Sequence, residues 1–181
     1  MDRIRLATAA DAAAIAAIYA PNVTDGVISF EYVPPTAAQM ASRVESVLAH
    51  APWLVLERAG EVAGYAYASR HSERAAYQWS VDVSIYVAAA HRRTGVGRAL
   101  YTRLFARLRQ QGFYVAHAGV TLPNAASVGL HESFGFRPVG VYPAIGFKRG
   151  AWHDVGWWRL ALRDPDGAPT PPRPLADVGI D

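Results

Sequence analysis

Apolar positions along the chain follow two periods. Short runs at Ile4–Ala7, Trp53–Glu57, Val62–Tyr67, Val81–Val87 and Tyr114–Thr121 predict strands, since successive side chains of an extended segment point to opposite faces. From about Gly95 to Gln111 the pattern changes. Val96, Leu100, Leu104 and Leu108 recur at four-residue spacing, Tyr101 and Phe105 widen the stripe, and Arg98 and Arg109 lie opposite, which predicts an amphipathic helix ended by Gly112. Three further helices are predicted: from about Asp11 to Tyr19 with Thr8 or Asp11 as cap, from Thr36 to about His50 after Pro34-Pro35, and from Ala125 to Phe134. Ala59-Gly60-Glu61 reads as a hairpin turn, and Lys148-Arg149-Gly150 joins two last strands, Phe136–Phe147 and Trp152–Ala161. Asn22–Pro35 and Arg70–Ala76 read as loops. The order β-α-α-β-β-β-α-β-α-β-β predicts an α/β layer domain whose mixed sheet is antiparallel in its first half. After Arg163 the chain is rich in Pro, Gly and Asp, so residues 164–181 are expected to form a tail without a core, following a domain over 1–163.

A length of 181 residues suits one domain with a full core. No apolar run approaches the ~18 residues of a membrane span, and Met1–Arg5 lacks the apolar segment of a signal peptide, so a cytoplasmic protein is expected. The absence of cysteine excludes disulfides, Cys-ligated metal and a thiol nucleophile, and no metal site is predicted. A net charge of +3 is too mild for a nucleic-acid surface and suits a polyanionic small molecule better.

Such an anion has a natural seat. The strand ending at Val87 runs into His91-Arg92-Arg93-Thr94-Gly95-Val96-Gly97-Arg98, a basic glycine turn that opens a helix. Backbone N–H groups there lack intrahelical partners, and the helix dipole adds positive charge, so a pyrophosphate is favoured. The Arg-x-x-Gly-x-Gly spacing matches neither the Walker loop nor the three-glycine dinucleotide fingerprint.

This turn resembles the acyl-CoA signature of the GNAT N-acetyltransferases. Tyr77–Val87, His91–Tyr101, Leu122-Pro123-Asn124 with His131-Glu132, and Gly146–Trp157 extend the likeness over Ile4 to Leu162. Together they resemble the branch of phosphinothricin, methionine sulfone and methionine sulfoximine N-acetyltransferases. The resemblance implies a GNAT fold with a central sheet splayed at the acetyl-CoA site. It also implies acetyl transfer from acetyl-CoA to the primary amine of a small molecule, commonly by a homodimer.

Site residues follow from the match. Backbone groups of Ile85, Tyr86 and Val87 would pair with the pantetheine arm. Arg92 begins the pyrophosphate cradle that Arg93, Thr94, Gly95, Val96, Gly97 and Arg98 complete. Asn124 matches a pantetheine contact, although it could equally cap its helix, and Ser133 matches another cofactor-facing position. An ammonium must lose a proton before its nitrogen can attack a thioester. Relatives carry Glu for this at the position of Asp82, which is one methylene shorter; a strand carboxylate out of pattern on the surface is the competing reading. His131 stands where many GNAT enzymes have Tyr, as donor to the thiolate or as base, or as a helix residue bonded to solvent or backbone. Phe30, Ser72, Glu73, Arg74, Val83 and Ser84 join Asp82 as acceptor candidates, with Ser72 in place of a Lys. His153, Trp157 and Trp158 are assigned to the core or a dimer interface. Two other functions remain open from sequence, a peptide acetyltransferase and an acyl-CoA sensor without catalysis.

Overall fold

Alternate residues of the central strands part the side chains onto two faces. In the computed structural model, which describes residues 2–179, Val81 and Val83 of β4 (Ser80–Val87) are buried toward α3 (Val96–Gln111). Between them Asp82 turns to the opposite face, which Tyr65 and Tyr67 share on the neighbouring β3 (Glu61–Arg70). One core lies on each side of the sheet. Leu100, Leu104 and Leu108 are fully buried in the first. The second is closed by α1 (Ala12–Thr24) and α2 (Ala37–Leu48) through Ile15, Met40 and Val44. Burial of each large aliphatic side chain stabilises the fold by roughly 1.5–3 kcal/mol.

The remaining elements are β1 (Arg3–Leu6), β2 (Trp53–Arg58), β5 (Val115–Thr121), α4 (Ala125–Ser133), β6 (Arg137–Lys148) and β7 (Ala151–Ala161). They form one seven-stranded sheet in the order β1-β2-β3-β4-β5-β7-β6. Pairing is antiparallel from β1 to β4, and β4 and β5 are parallel. That parallel pair is short. Only Ser80, Val81 and Asp82 find partners, in Val115, Ala116 and His117, before the two strands separate. The fork leaves the far half of β4 with one open edge in the middle of the sheet.

Three segments depart from the sequence pattern. Helix α1 passes through Pro21 to Thr24, where a loop is predicted. Buried Asn22 and Val23 hold the added turn in place. Its open carbonyls are satisfied from the β6–β7 hairpin: Lys148 Nζ donates to Val23 O at 2.6 Å, and an Arg149 guanidinium N–H donates to Thr24 O at 3.0 Å. Strand β3 extends to Arg70, because Ser69 and Arg70 pair with Asp82 and Val81. The proline-rich tail returns to the body, burying Leu175 and Val178. Gln111 receives a backbone hydrogen bond from Arg173 and donates one to its carbonyl. No helix among the described residues is long and apolar enough to cross a membrane.

Candidate active site

Gly95 starts α3 in the left-handed region, φ +88°, where a side chain would be strained. The turn and the start of the helix border a hollow of about 550 Å³. Ile85, Tyr86, Val87, Arg92, Arg93, Gly95, Gly97, Arg98 and Asn124 all line it, so most of the predicted cofactor set converges. Three arginines and no carboxylate border the hollow, as a polyanion requires. The open edge of β4 supplies unpaired backbone donors and acceptors along its wall.

Three predicted cofactor residues stand outside that lining. The Val96 side chain is fully buried in the core, so only its backbone can serve an anion. Thr94 Oγ1 donates to His91 O at 2.7 Å and accepts from Arg58 at 2.7 Å, stabilising the turn from within. Ser133 Oγ donates to Leu130 O at 2.7 Å and accepts from Arg98 at 3.3 Å, which steadies a guanidinium that also lies over Phe134. Asn124 both caps α4, accepting from Ser127 N at 3.1 Å, and faces the hollow.

A smaller cavity of about 70 Å³ continues inward between the separated strands. Val83, Ser84, Thr121, Asn124, Ser127 and His131 are on its wall. His131 is almost wholly buried, and both its nitrogens are engaged: Nδ1 lies 2.7 Å from Ser127 O, and Nε2 lies 2.9 Å from the Tyr101 hydroxyl. A carbonyl can only accept, so Nδ1 carries the hydrogen and Nε2 accepts from Tyr101. Burial lowers the His131 pKa against the small opposing effect of Ser127, leaving a neutral ring.

Asp82 sits at the apex of the fork. Its partner in register is His117, and both side chains project from the α1–α2 face of the sheet. His71, just beyond the end of β3, donates from Nδ1 to Asp82 Oδ1 at 2.7 Å. The His71 and His117 rings are 4.5 Å apart, and the heteroatoms of all three side chains lie within 4.8 Å of one another. Burial also lowers the His117 pKa, with the neighbouring His71 adding to it. Trp157 meets His71 edge-on at 6.3 Å. Sequence reading missed His71 and His117. Counting alternation through β5 finds His117, because Ala116, Ala118 and Val120 are core and His117 must face the other side. Nothing local marks His71, which lies in a segment that reads as loop.

The acceptor candidates are dispersed. Ser84 bonds to the buried Tyr67 hydroxyl. Phe30 seats its ring against Gly146, where a side chain would collide with it, and lies near His153. Ser72 and Glu73 border two separate hollows near Arg70 and His50. Arg74 is exposed, with no side-chain ion pair among the described residues. Of the aromatic set, Trp158 is core, whereas Trp157 faces the histidine cluster.

The profile of the family described as "Acetyltransferase (GNAT) domain" matches residues 4–157. The chain is 42% identical to a phosphinothricin N-acetyltransferase of Streptomyces viridochromogenes over 97% of its own length and 93% of the relative's. It is 36% identical to an L-methionine sulfoximine/L-methionine sulfone acetyltransferase of Salmonella typhimurium, over 92% and 97%. Among solved structures, a GNAT superfamily phosphinothricin acetyltransferase from Sinorhizobium meliloti in complex with acetyl-CoA superposes with a TM-score of 0.89 at 35% identity, covering 93% of each chain. The Sinorhizobium structure holds acetyl-CoA, and this chain presents a hollow bordered by three arginines beside a forked sheet. The chain belongs to the GNAT acetyltransferase family and is an acetyl-CoA-dependent N-acetyltransferase.

Proposed function

We propose that the acceptor is the primary amine of a small amino-acid analogue, of the methionine sulfone or sulfoximine type in preference to phosphinothricin. The observation that carries this reading is the fork itself: Asp82 stands where β4 leaves β5, and the next residues of that strand, Val83 to Val87, line the inner cavity and then the arginine-bordered hollow. Bound acetyl-CoA supplies an activated acetyl thioester there. The backbone of Ile85, Tyr86 and Val87 holds the pantetheine arm, with Asn124 on its other side. Arg92, Arg93 and Arg98, with the N–H groups from Thr94 to Gly97, hold the pyrophosphate. Asp82 provides the carboxylate of the path by which the acceptor ammonium loses its proton. The His131–Tyr101 pair, on the wall of the inner cavity, serves the departing thiolate.

Acceptor choice follows from charge. Ser72 contributes no cation where the family resemblance implies a Lys in the phosphinothricin enzymes, whereas Arg74 offers a planar fork to one carboxylate. A neutral tetrahedral sulfone or sulfoximine head is therefore favoured over an anionic phosphinate. The names of the relatives, which include both substrate types, support the class of acceptor, a small amino-acid analogue. A cytoplasmic location is proposed on the strength of the acetyl-CoA requirement. The protein is proposed to act as a homodimer, joined through the outer β6–β7 surface. Val141, Tyr142, Ile145, Phe147 and Trp152 are all exposed on those strands, and large apolar side chains left exposed together mark interaction surfaces.

A thiol-release assay with acetyl-CoA across amino-acid analogues tests the reading. The kcat/KM for methionine sulfone or sulfoximine is expected to exceed that for phosphinothricin, and Arg74→Ala to raise KM for each. A clear preference for phosphinothricin contradicts the charge argument and leaves the acetyltransferase assignment standing.

A further inference from the structure

We propose that His71 is the group that takes the proton from the acceptor amine, with Asp82 as the carboxylate that orients it. This rests on the amine-acetylating reading above. Asp82 Oδ1 accepts the Nδ1–H of His71 at 2.7 Å, which fixes the neutral ring in the tautomer that leaves Nε2 as a free acceptor. Nε2 has no hydrogen-bond partner among the described residues, and the side chains of His71 and Asp82 are each 31% exposed. A carboxylate behind a half-exposed imidazole is the arrangement that makes histidine a base in hydrolytic triads, here built for an amine.

The position of the pair supports the assignment. Asp82 is the last residue of β4 to pair with β5, so the dyad stands at the apex of the fork, on the face away from α3. The short Asp side chain ends at its hydrogen bond to His71, and the imidazole extends the reach that the missing methylene gives up. Groups from every surrounding element face the ring: Asp82 from β4, His117 from β5, Tyr77 from the turn before β4, and Trp157 from β7. Arg159 pairs with His117 in register and adds positive charge nearby. Asp82 is the sole anion in this group, and it is bonded to His71. His117, held neutral by burial, leaves the proton to its neighbour.

The step balances simply. One N–H bond of the ammonium breaks and an Nε2–H bond forms. The electron pair left on the amine nitrogen forms the C–N bond at the thioester carbonyl as the C–S bond breaks, the second proton of that nitrogen goes to the departing thiolate, and His71 returns its proton to water before the next turnover.

His71→Asn keeps a donor for Asp82 but removes the base. The variant is expected to lose kcat on the order of 100-fold, the usual contribution of a positioned general base, and to lose the acidic limb of its pH–rate profile. His71→Ala is expected to regain part of its rate with added imidazole. In the unliganded protein, 15N-histidine spectra should show His71 as the Nδ1–H tautomer, and Asp82→Asn should abolish that preference. An active wild type with His71→Asn within about threefold of it and the limb intact would make His71 a positioning residue only, overturning the proposal but not the functional reading. A wild type inactive on every amine overturns both. Loss of activity on treatment with a chelator would show that these side chains hold a metal instead, and would also overturn it.

Discussion

At His131, burial and two hydrogen bonds decide what a helix pattern leaves open. The spacing Asn124, Ser127, His131 places the ring on the inner face of α4, but whether it titrates depends on Tyr101 from another helix and on the depth of the site. The folded-state pKa of His131 lies below its unfolded value of about 6.5, and so does that of His117. The unfolded chain therefore binds more protons in that range, and the stability these groups contribute is lost as pH falls below about 6.5. Thermal unfolding between pH 7.5 and 5 should show a falling midpoint, with a shallower fall in His131→Gln; equal slopes would contradict the assignment. Asp82 was legible as a polar residue out of pattern between two valines. Its partner His71 was not, because the contact joins the ends of two strands and has no local signature.

Among the elements, α3 was the most legible. Its i+4 leucines, glycine start and glycine stop all recur in the structure, and the arginine turn before it borders the hollow of about 550 Å³. Gly97→Glu introduces an anion there. Its Cβ meets only ordinary contacts, 3.4 Å from Leu130 and 3.5 Å from Ile85, so the fold should persist. Calorimetry is expected to show CoA affinity reduced by at least about tenfold, as for a like charge facing the pyrophosphate; unchanged affinity would remove this turn from the cofactor site. Helix α1 shows the opposite case. Pro21 argues for a stop after Tyr19, and what carries the helix onward is a lysine and an arginine more than 120 residues later in the chain, as the 125-residue separations record.

For the whole molecule, the antiparallel first half of the sheet and the last antiparallel pair followed from the succession of elements, whereas the insertion of β7 between β5 and β6 needed the three-dimensional pairing. The fork could be anticipated only through family resemblance, since both strands are apolar on one side throughout. Composition misled in the tail: its prolines suggest an extended segment, yet Leu175 and Val178 are enough to dock it. The exposed apolar residues on β6 and β7 predict assembly. Trp152→Glu, at a position 65% exposed, should leave folding intact and shift the molar mass in solution from dimer to monomer. A wild type that is already monomeric would refute the interface.

Acetyl transfer at the fork, with Asp82 serving the proton path, is the proposal on which the acceptor and base assignments both depend. Its most direct test is a paired measurement on wild type and Asp82→Asn: calorimetric CoA affinity, and thiol release with acetyl-CoA and methionine sulfone. Nearly equal affinity is expected, with turnover reduced on the order of 100-fold or more. Equal turnover of the two proteins at neutral pH would contradict it.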